Sequence, residues 1–219
     1  RYPNREKCRA LGTSLAEMHL HASGVTRRRP NALGPQSWQP LLDSVGAHAD
    51  EIAPSMHAMS QTRLDSILES WPKDLPQGVI HADLFPNNVL FMGDHLTGVI
   101  DFYFACDDIL AYDIGICLNS WCFEADGSFN MTKSRSLIRG YQTIRPLSEA
   151  EIAAIPVLAA GSAMRFFLTR LYDWTHTPKD AFVSPKDPME YWAILEFHQS
   201  VSGTCAYGID LSSPHREIH

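Results

Sequence analysis

The sequence predicts an α+β fold, a mostly helical body that carries one small β insert near its middle. Three observations lead there. Apolar residues recur at helical spacing on both sides of the chain's centre, and the period switches to short β-rich runs between Val79 and Phe102. The acidic and polar tips gather on those same runs.

Taken in order, residues 4–22 set Cys8, Leu11, Leu15, Met18 and Ala22 on one helical face, with Asn4 as N-cap and Gly24 past the end. Residues 24–36, rich in Arg, Pro, Gly and Asn, form a loop. Helices are expected near 37–48 and 52–71, the second ending before Pro72. Val79-Ile80-His81, Asn88 to Phe91 and Leu96 to Phe102 are strands, the last two joined by Met92-Gly93-Asp94-His95 as a hairpin turn. Helices resume at about 112–123, 132–145, 149–175 and 187–202, and Pro156 is expected to break or kink the third. Residues 178–188 are a loop, and 203–219 a poorly ordered tail. The organisation is a helix and linker over 1–36, a main body over 37–203 and a tail over 204–219.

The 219 residues suffice for a real core, and 45% hydrophobic with 20% charged content is that of an ordinary globular chain. No apolar run approaches the roughly 18–20 residues of a membrane span. The chain starts at Arg1 without initiator Met, signal-peptide core or lipidation motif, and is expected to be cut from something longer. Five cysteines without a Cys-x-x-Cys pair argue against a disulfide framework or closed zinc site and for reduced, buried thiols in a cytoplasmic protein. A net charge of −7 argues against nucleic acid as the main partner. From Asp74 to Thr132 there is no Lys or Arg but nine acidic residues. Such carboxylates are either solvated or share a cation.

Within that stretch His81-Ala82-Asp83-Leu84-Phe85-Pro86-Asn87-Asn88 follows a strand, and Val99-Ile100-Asp101-Phe102 closes a hairpin. Phosphoryl transfer needs one carboxylate to orient the attacking hydroxyl, and a second carboxylate with a neutral oxygen donor to hold Mg²⁺ against the phosphates. Asp83, Asn88 and Asp101 match those roles in kind and order, as in the protein-kinase template, although Phe102-Tyr103 stands where that template has Phe-Gly. His81 is expected to brace backbone, and Asp113 to cap the next helix while fixing the loop.

At these motifs the chain resembles the aminoglycoside phosphotransferase and choline kinase superfamily. The strings Gly98 to Asp108, Tyr112-Asp113-Ile114-Gly115, Asn119-Ser120-Trp121-Cys122 and Arg165 to Trp174 resemble type II homoserine kinases specifically, and Leu15 to His19 looks like the superfamily's helix before the catalytic lobe. The resemblance implies a protein-kinase-like C-lobe with Asp83 as catalytic base and Asn88 and Asp101 on Mg²⁺. It further implies ATP as phosphoryl donor and homoserine as acceptor. No Gly-rich loop, strand lysine or partner glutamate is present, so the ATP-covering N-lobe is expected to lie outside this chain, and the isolated segment to turn over little. A zwitterionic acceptor needs a cation for its carboxylate, for which Arg165 and Arg170 are candidates, and an acid for its ammonium, for which Asp108 or Glu124 is. Arg170 is equally placed to pair with Asp173.

Rival readings are a kinase for choline, an aminoglycoside or another small alcohol, a non-catalytic binding module on the same scaffold, and a metal hydrolase using His81, Asp83 and Asp101. A choline site would want an aromatic cage, with Trp121, Tyr103 and Trp174 as its material. The hydrolase lacks histidines at ligand spacing.

Overall fold

Two long apolar helices determine where everything else sits. The computed structural model describes residues 3–178 and 184–209. Within it α4 (Leu110–Trp121) and α6 (Glu149–His176) run side by side through the middle. Every residue of α4 from Leu110 to Asn119 is buried, which fits its nearly unbroken apolar sequence. The two helices serve two cores. Tyr112, Ile116, Leu158 and Phe167 pack with α2 (Trp38–Val45) and α3 (Met56–Glu69) on one side. Ile114, Cys117, Trp121 and Ile155 pack with α1 (Arg5–His21) and α5 (Met131–Gln142) on the other. The last helix, α7 (Met189–Ser200), lies along α6.

The helix starts carry their expected chemistry. Asn4 caps α1 by accepting the N–H of Lys7 at 2.9 Å, and Ser148 with Glu151 forms a capping box at the start of α6. Pro156 neither breaks nor visibly interrupts α6, which continues to His176. Packing of Ile155, Leu158 and Ala159 outweighs the roughly 3 kcal/mol that an interior proline costs. Helices α1 and α5 approach until their backbones touch. A Cβ on Gly12 would lie 2.0 Å from the Leu137 carbonyl oxygen, and one on Gly140 2.2 Å from that of Arg9. Gly12 is thereby committed to helix packing.

The β insert differs from expectation. It is two antiparallel pairs, because Cys106–Ile109 forms a fourth strand that its mixed polar sequence did not signal. Strand β1 (Gln77–Ile80) pairs with β4 (Cys106–Ile109), Ile80 opposite Cys106, while β2 (Val89–Met92) and β3 (His95–Val99) make the expected hairpin. The 24–36 loop docks on this sheet through a parallel bridge between Pro30 and Asp107.

Two further expectations are corrected. Residues 204–209 are not a loose tail, because Thr204–Tyr207 is a 3-10 turn with Tyr207 fully buried against His198. The rest of that expected tail, 210–219, and residues 179–183 of the expected loop lie outside the described residues. Helix α6 is long and apolar enough to cross a membrane, but 72% of its most apolar window is buried inside this fold, the condition of a core helix. All five cysteines are free, and four are buried.

Candidate active site

Asp113 organises the site from beneath. It sits one turn into α4 and does not cap it, since Ile109 holds that position and the 100–109 segment delivers the chain directly into the helix. Its carboxylate accepts the backbone N–H of His81 at 2.7 Å and of Ala82 at 2.8 Å, with His19 Nε2 at 3.3 Å. Burial would push this carboxylate up, but the His19 contact and the two backbone N–H groups outweigh it and hold Asp113 below the usual aspartate range. Tyr141 Oη meets His19 Nδ1 at 2.8 Å and accepts from Arg145 at 3.2 Å, so the network reaches across α1 to α5 and its exit. Ala82 is thereby kept at φ 63°, a left-handed conformation unfavourable for alanine, and the chain turns sharply to present Asp83.

His81 acts on backbone through both ring nitrogens. Nε2 lies 3.0 Å from the Ile100 carbonyl, which can only accept, and Nδ1 lies 3.3 Å from the Asp83 N–H, which can only donate. Those partners select the neutral tautomer with the proton on Nε2. Ile100 N–H in turn donates to the Asn88 carbonyl at 2.9 Å. The backbone just before Asp101 is thus tied to both His81 and Asn88.

Asn88 is buried, and its Nδ2 donates to the Asp83 backbone oxygen at 2.8 Å and to Asp83 Oδ2 at 3.3 Å. That orientation leaves Asn88 Oδ1 without a hydrogen bond among the described residues, and the same holds for the exposed Asp101 carboxylate at φ 64°. Both are hard oxygen donors beside the same backbone knot, so the set fits Mg²⁺. Among the described residues no three His, Cys, Asp or Glu side chains stand together for a metal, and both nitrogens of His81 are occupied, which disfavours the hydrolase reading.

Burial raises Asp83 above the ordinary aspartate range; the Arg165 charge pulls against that rise while Asp101 adds to it. Arg165, on α6 and only 2% exposed, donates to the Ala82 carbonyl at 2.5 Å and lies over Phe166 with its carbon 4.5 Å from the ring centroid. It therefore backs the loop from behind. A cleft of about 420 Å³ opens beside Asp83, walled by Phe85, Phe104, Arg165, Phe166, Thr169, Arg170, Asp173 and Lys186 among others.

The remaining expected residues divide. Arg170 reaches the cleft but pairs with Glu190 at 2.7 Å, on the adjacent α7, and not with Asp173. Asp108 stays outside the cleft, held by Asn31 Nδ2 at 2.6 Å in the β1–β4 sheet. Glu124 is neutralised by Lys133 at 2.7 Å. The run of unpartnered carboxylates is also shorter than the sequence suggests, since Arg28 from the 24–36 loop pairs with Asp107 at 2.5 Å. Asp173 and Lys186, which the sequence motifs do not mark for binding, both line the cleft; the four-residue spacing of Arg165, Thr169 and Asp173 on α6 is the signal the sequence holds for Asp173. None of Trp121, Tyr103 and Trp174 lines the cleft, and Trp121 is buried with its indole N–H on the Leu84 carbonyl at 2.8 Å, so no choline cage forms there.

Residues 3–147 match the phosphotransferase enzyme family. A homoserine kinase of Rhizobium rhizogenes is 54% identical over 209 residues, 95% of this chain and 65% of that protein. The homoserine kinase of Allorhizobium ampelinum is 56% identical over 208 residues, with 95% and 65% covered. The chain spans just under two thirds of the length of these relatives. The fold is shared with an ethanolamine kinase of Plasmodium vivax at TM-score 0.63 and 17% identity, covering 90% of this chain and 59% of that one. It is shared too with an aminoglycoside phosphotransferase of Alicyclobacillus acidocaldarius at TM-score 0.63 and 16% identity, covering 94% and 65%.

Proposed function

Because the chain belongs to the phosphotransferase enzyme family, we propose that it forms the catalytic part of an ATP-dependent kinase whose acceptor is the hydroxyl of L-homoserine. The observation that carries this reading is the knot joining Asp83, Asn88 and Asp101, in which one carboxylate faces a cleft and two spare oxygen donors lie beside it. Residues 37–203 would make the catalytic C-lobe, to which α1 contributes His19.

The substrate hydroxyl donates its proton toward Asp83 as its oxygen forms a bond to the γ-phosphorus. The bond from that phosphorus to the bridging oxygen breaks, and ADP leaves. Asn88 Nδ2 keeps the Asp83 carboxylate aimed, and Arg165 stops the loop behind it from yielding. Asn88 Oδ1 and Asp101 would hold magnesium, which supplies charge neutralisation at the phosphates. Leu90 and Ile100 are both exposed on the face of the β2–β3 hairpin opposite buried Val89, an apolar platform suited to a nucleobase. The homoserine assignment rests on the relatives at 54–56% identity.

The test is ADP release by the protein expressed from its complete gene, with Mg-ATP and homoserine, choline, serine or kanamycin, beside Asp83→Ala. Homoserine-dependent turnover that Asp83→Ala lowers by at least about 10³-fold supports the reading. Turnover with another alcohol alone keeps the chemistry and discards the acceptor.

A further inference from the structure

We infer that Asp173 and Lys186 form the pair that reads the two charged ends of a zwitterionic acceptor, Asp173 taking the ammonium and Lys186 the carboxylate. This rests on the proposed homoserine reading and assigns its selectivity to residues outside the catalytic loop.

The argument runs by charge inventory. Five ionisable side chains line the cleft: Asp83, Arg165, Arg170, Asp173 and Lys186. Asp83 is committed to the hydroxyl. Arg165 is spent on the Ala82 carbonyl and on the faces of Phe104 and Phe166. Its buried Nε has no partner among the described residues, so it lends the inner cleft a positive field from beneath the surface. Arg170 is neutralised by Glu190, satisfied further by the Asp187 carbonyl at 3.0 Å, and stacked on Tyr191. A charge held in that way exchanges a good partner for the substrate and gains little. Of the five, Arg170 alone forms an ion pair among the described residues, and Asp173 and Lys186 are the two that neither make one nor serve the catalytic loop. Lys186 has its ammonium 5.9 Å from the Phe85 ring centroid, two residues from Asp83 along the chain, a loose contact that leaves its donors available.

The reach is right. Arg165, Thr169 and Asp173 follow one another on a single face of α6 at four-residue intervals. Arg165 touches the loop at Ala82, and Asp173 stands about 12 Å further along the axis at 1.5 Å per residue. A four-carbon amino acid spans about 5 Å from hydroxyl to ammonium, and a hydrogen bond of about 3 Å at each end brings the total to about 11 Å. A shorter hydroxy-amine such as serine, with its hydroxyl on Asp83, falls short of Asp173 by roughly one bond length.

The test uses the protein expressed from its complete gene and three acceptors: L-homoserine, 4-hydroxybutanoate, which lacks the ammonium, and 2-amino-1,4-butanediol, which lacks the carboxylate. Asp173→Asn is expected to raise KM for homoserine and the aminodiol by about 10-fold or more, leaving KM for 4-hydroxybutanoate within about 2-fold. Lys186→Gln is expected to do so for homoserine and 4-hydroxybutanoate and to spare the aminodiol. Both variants keep kcat at saturating homoserine within about 3-fold, and equal urea midpoints verify that they fold. Homoserine turnover with both variants indifferent to which charge the acceptor carries, or with KM raised equally for all three, overturns the pair alone. A wild-type enzyme inert toward homoserine but active on another alcohol overturns the acceptor reading and the pair with it.

Discussion

Replacing Asp113 with alanine tests whether the catalytic turn is held from below. The carboxylate accepts two backbone N–H groups at 2.7 and 2.8 Å and faces His19 at 3.3 Å, all within the core. Hydrogen bonds to a charged acceptor contribute about 1.5–3 kcal/mol each, and deletion also leaves the N–H groups of His81 and Ala82 buried and unpaired. The expected loss is about 3–5 kcal/mol at pH 7, the range for breaking a buried charged network. It would be read as a lower urea midpoint at unchanged slope, followed by tryptophan fluorescence. Because the folded carboxyl titrates below its unfolded value of about 3.9, its contribution is fully present above that value and is lost as pH falls through the folded pKa. The wild type should therefore shed this stability on acidification below about pH 4, and the variant should have little of it left to shed. Released from φ 63°, Ala82 should relax and misaim Asp83, so kcat should fall with stability. A loss under about 1 kcal/mol at pH 7, or an acid-unfolding profile identical to that of the wild type, would refute the reasoning.

Three further outcomes follow from the packing and the polar networks. Gly140→Ala forces a methyl to within 2.2 Å of the Arg9 carbonyl and should cost about 2–4 kcal/mol by thermal or urea melting, since backbone must move. His198 is buried between Asn119 and Tyr207, and burial pushes it down to about 3, so it stays neutral when folded. The unfolded histidine takes up a proton first; stability should fall between pH 6.5 and 3, by up to about 5 kcal/mol, and His198→Gln should flatten that slope. Arg29 holds the Tyr103 carbonyl at 2.6 Å and its own N–H meets Asp107 at 2.8 Å, clamping the segment that follows Asp101. Arg29→Ala should raise the magnesium concentration for half-maximal activity by about 3–10-fold with folding intact, measured by a metal titration of ADP release.

What the sequence determined by itself was local. Periodicity placed seven helices and the β2–β3 hairpin, and Asn4 marked the first cap, because each of these depends on neighbours within a few residues. The order His81, Asp83, Asn88, Asp101 was legible for the same reason, since one short loop and one hairpin carry all four side chains. Strand β4 was not legible, because Cys106–Ile109 becomes a strand only when β1 is there to pair with it. Tertiary structure alone assigned Asp113 to two backbone N–H groups thirty-one and thirty-two positions earlier, and His19 to Asp113 across ninety-four. It also decided which charges were already spoken for. Arg170 has Glu190, Glu124 has Lys133 and Asp108 has Asn31, whereas Asp173 and Lys186 both line one cleft without an ion pair among the described residues. Charge in a sequence has no partner until the chain folds; pairing at 3 Å is set by how helices and loops pack, and spacing along the chain carries no record of it.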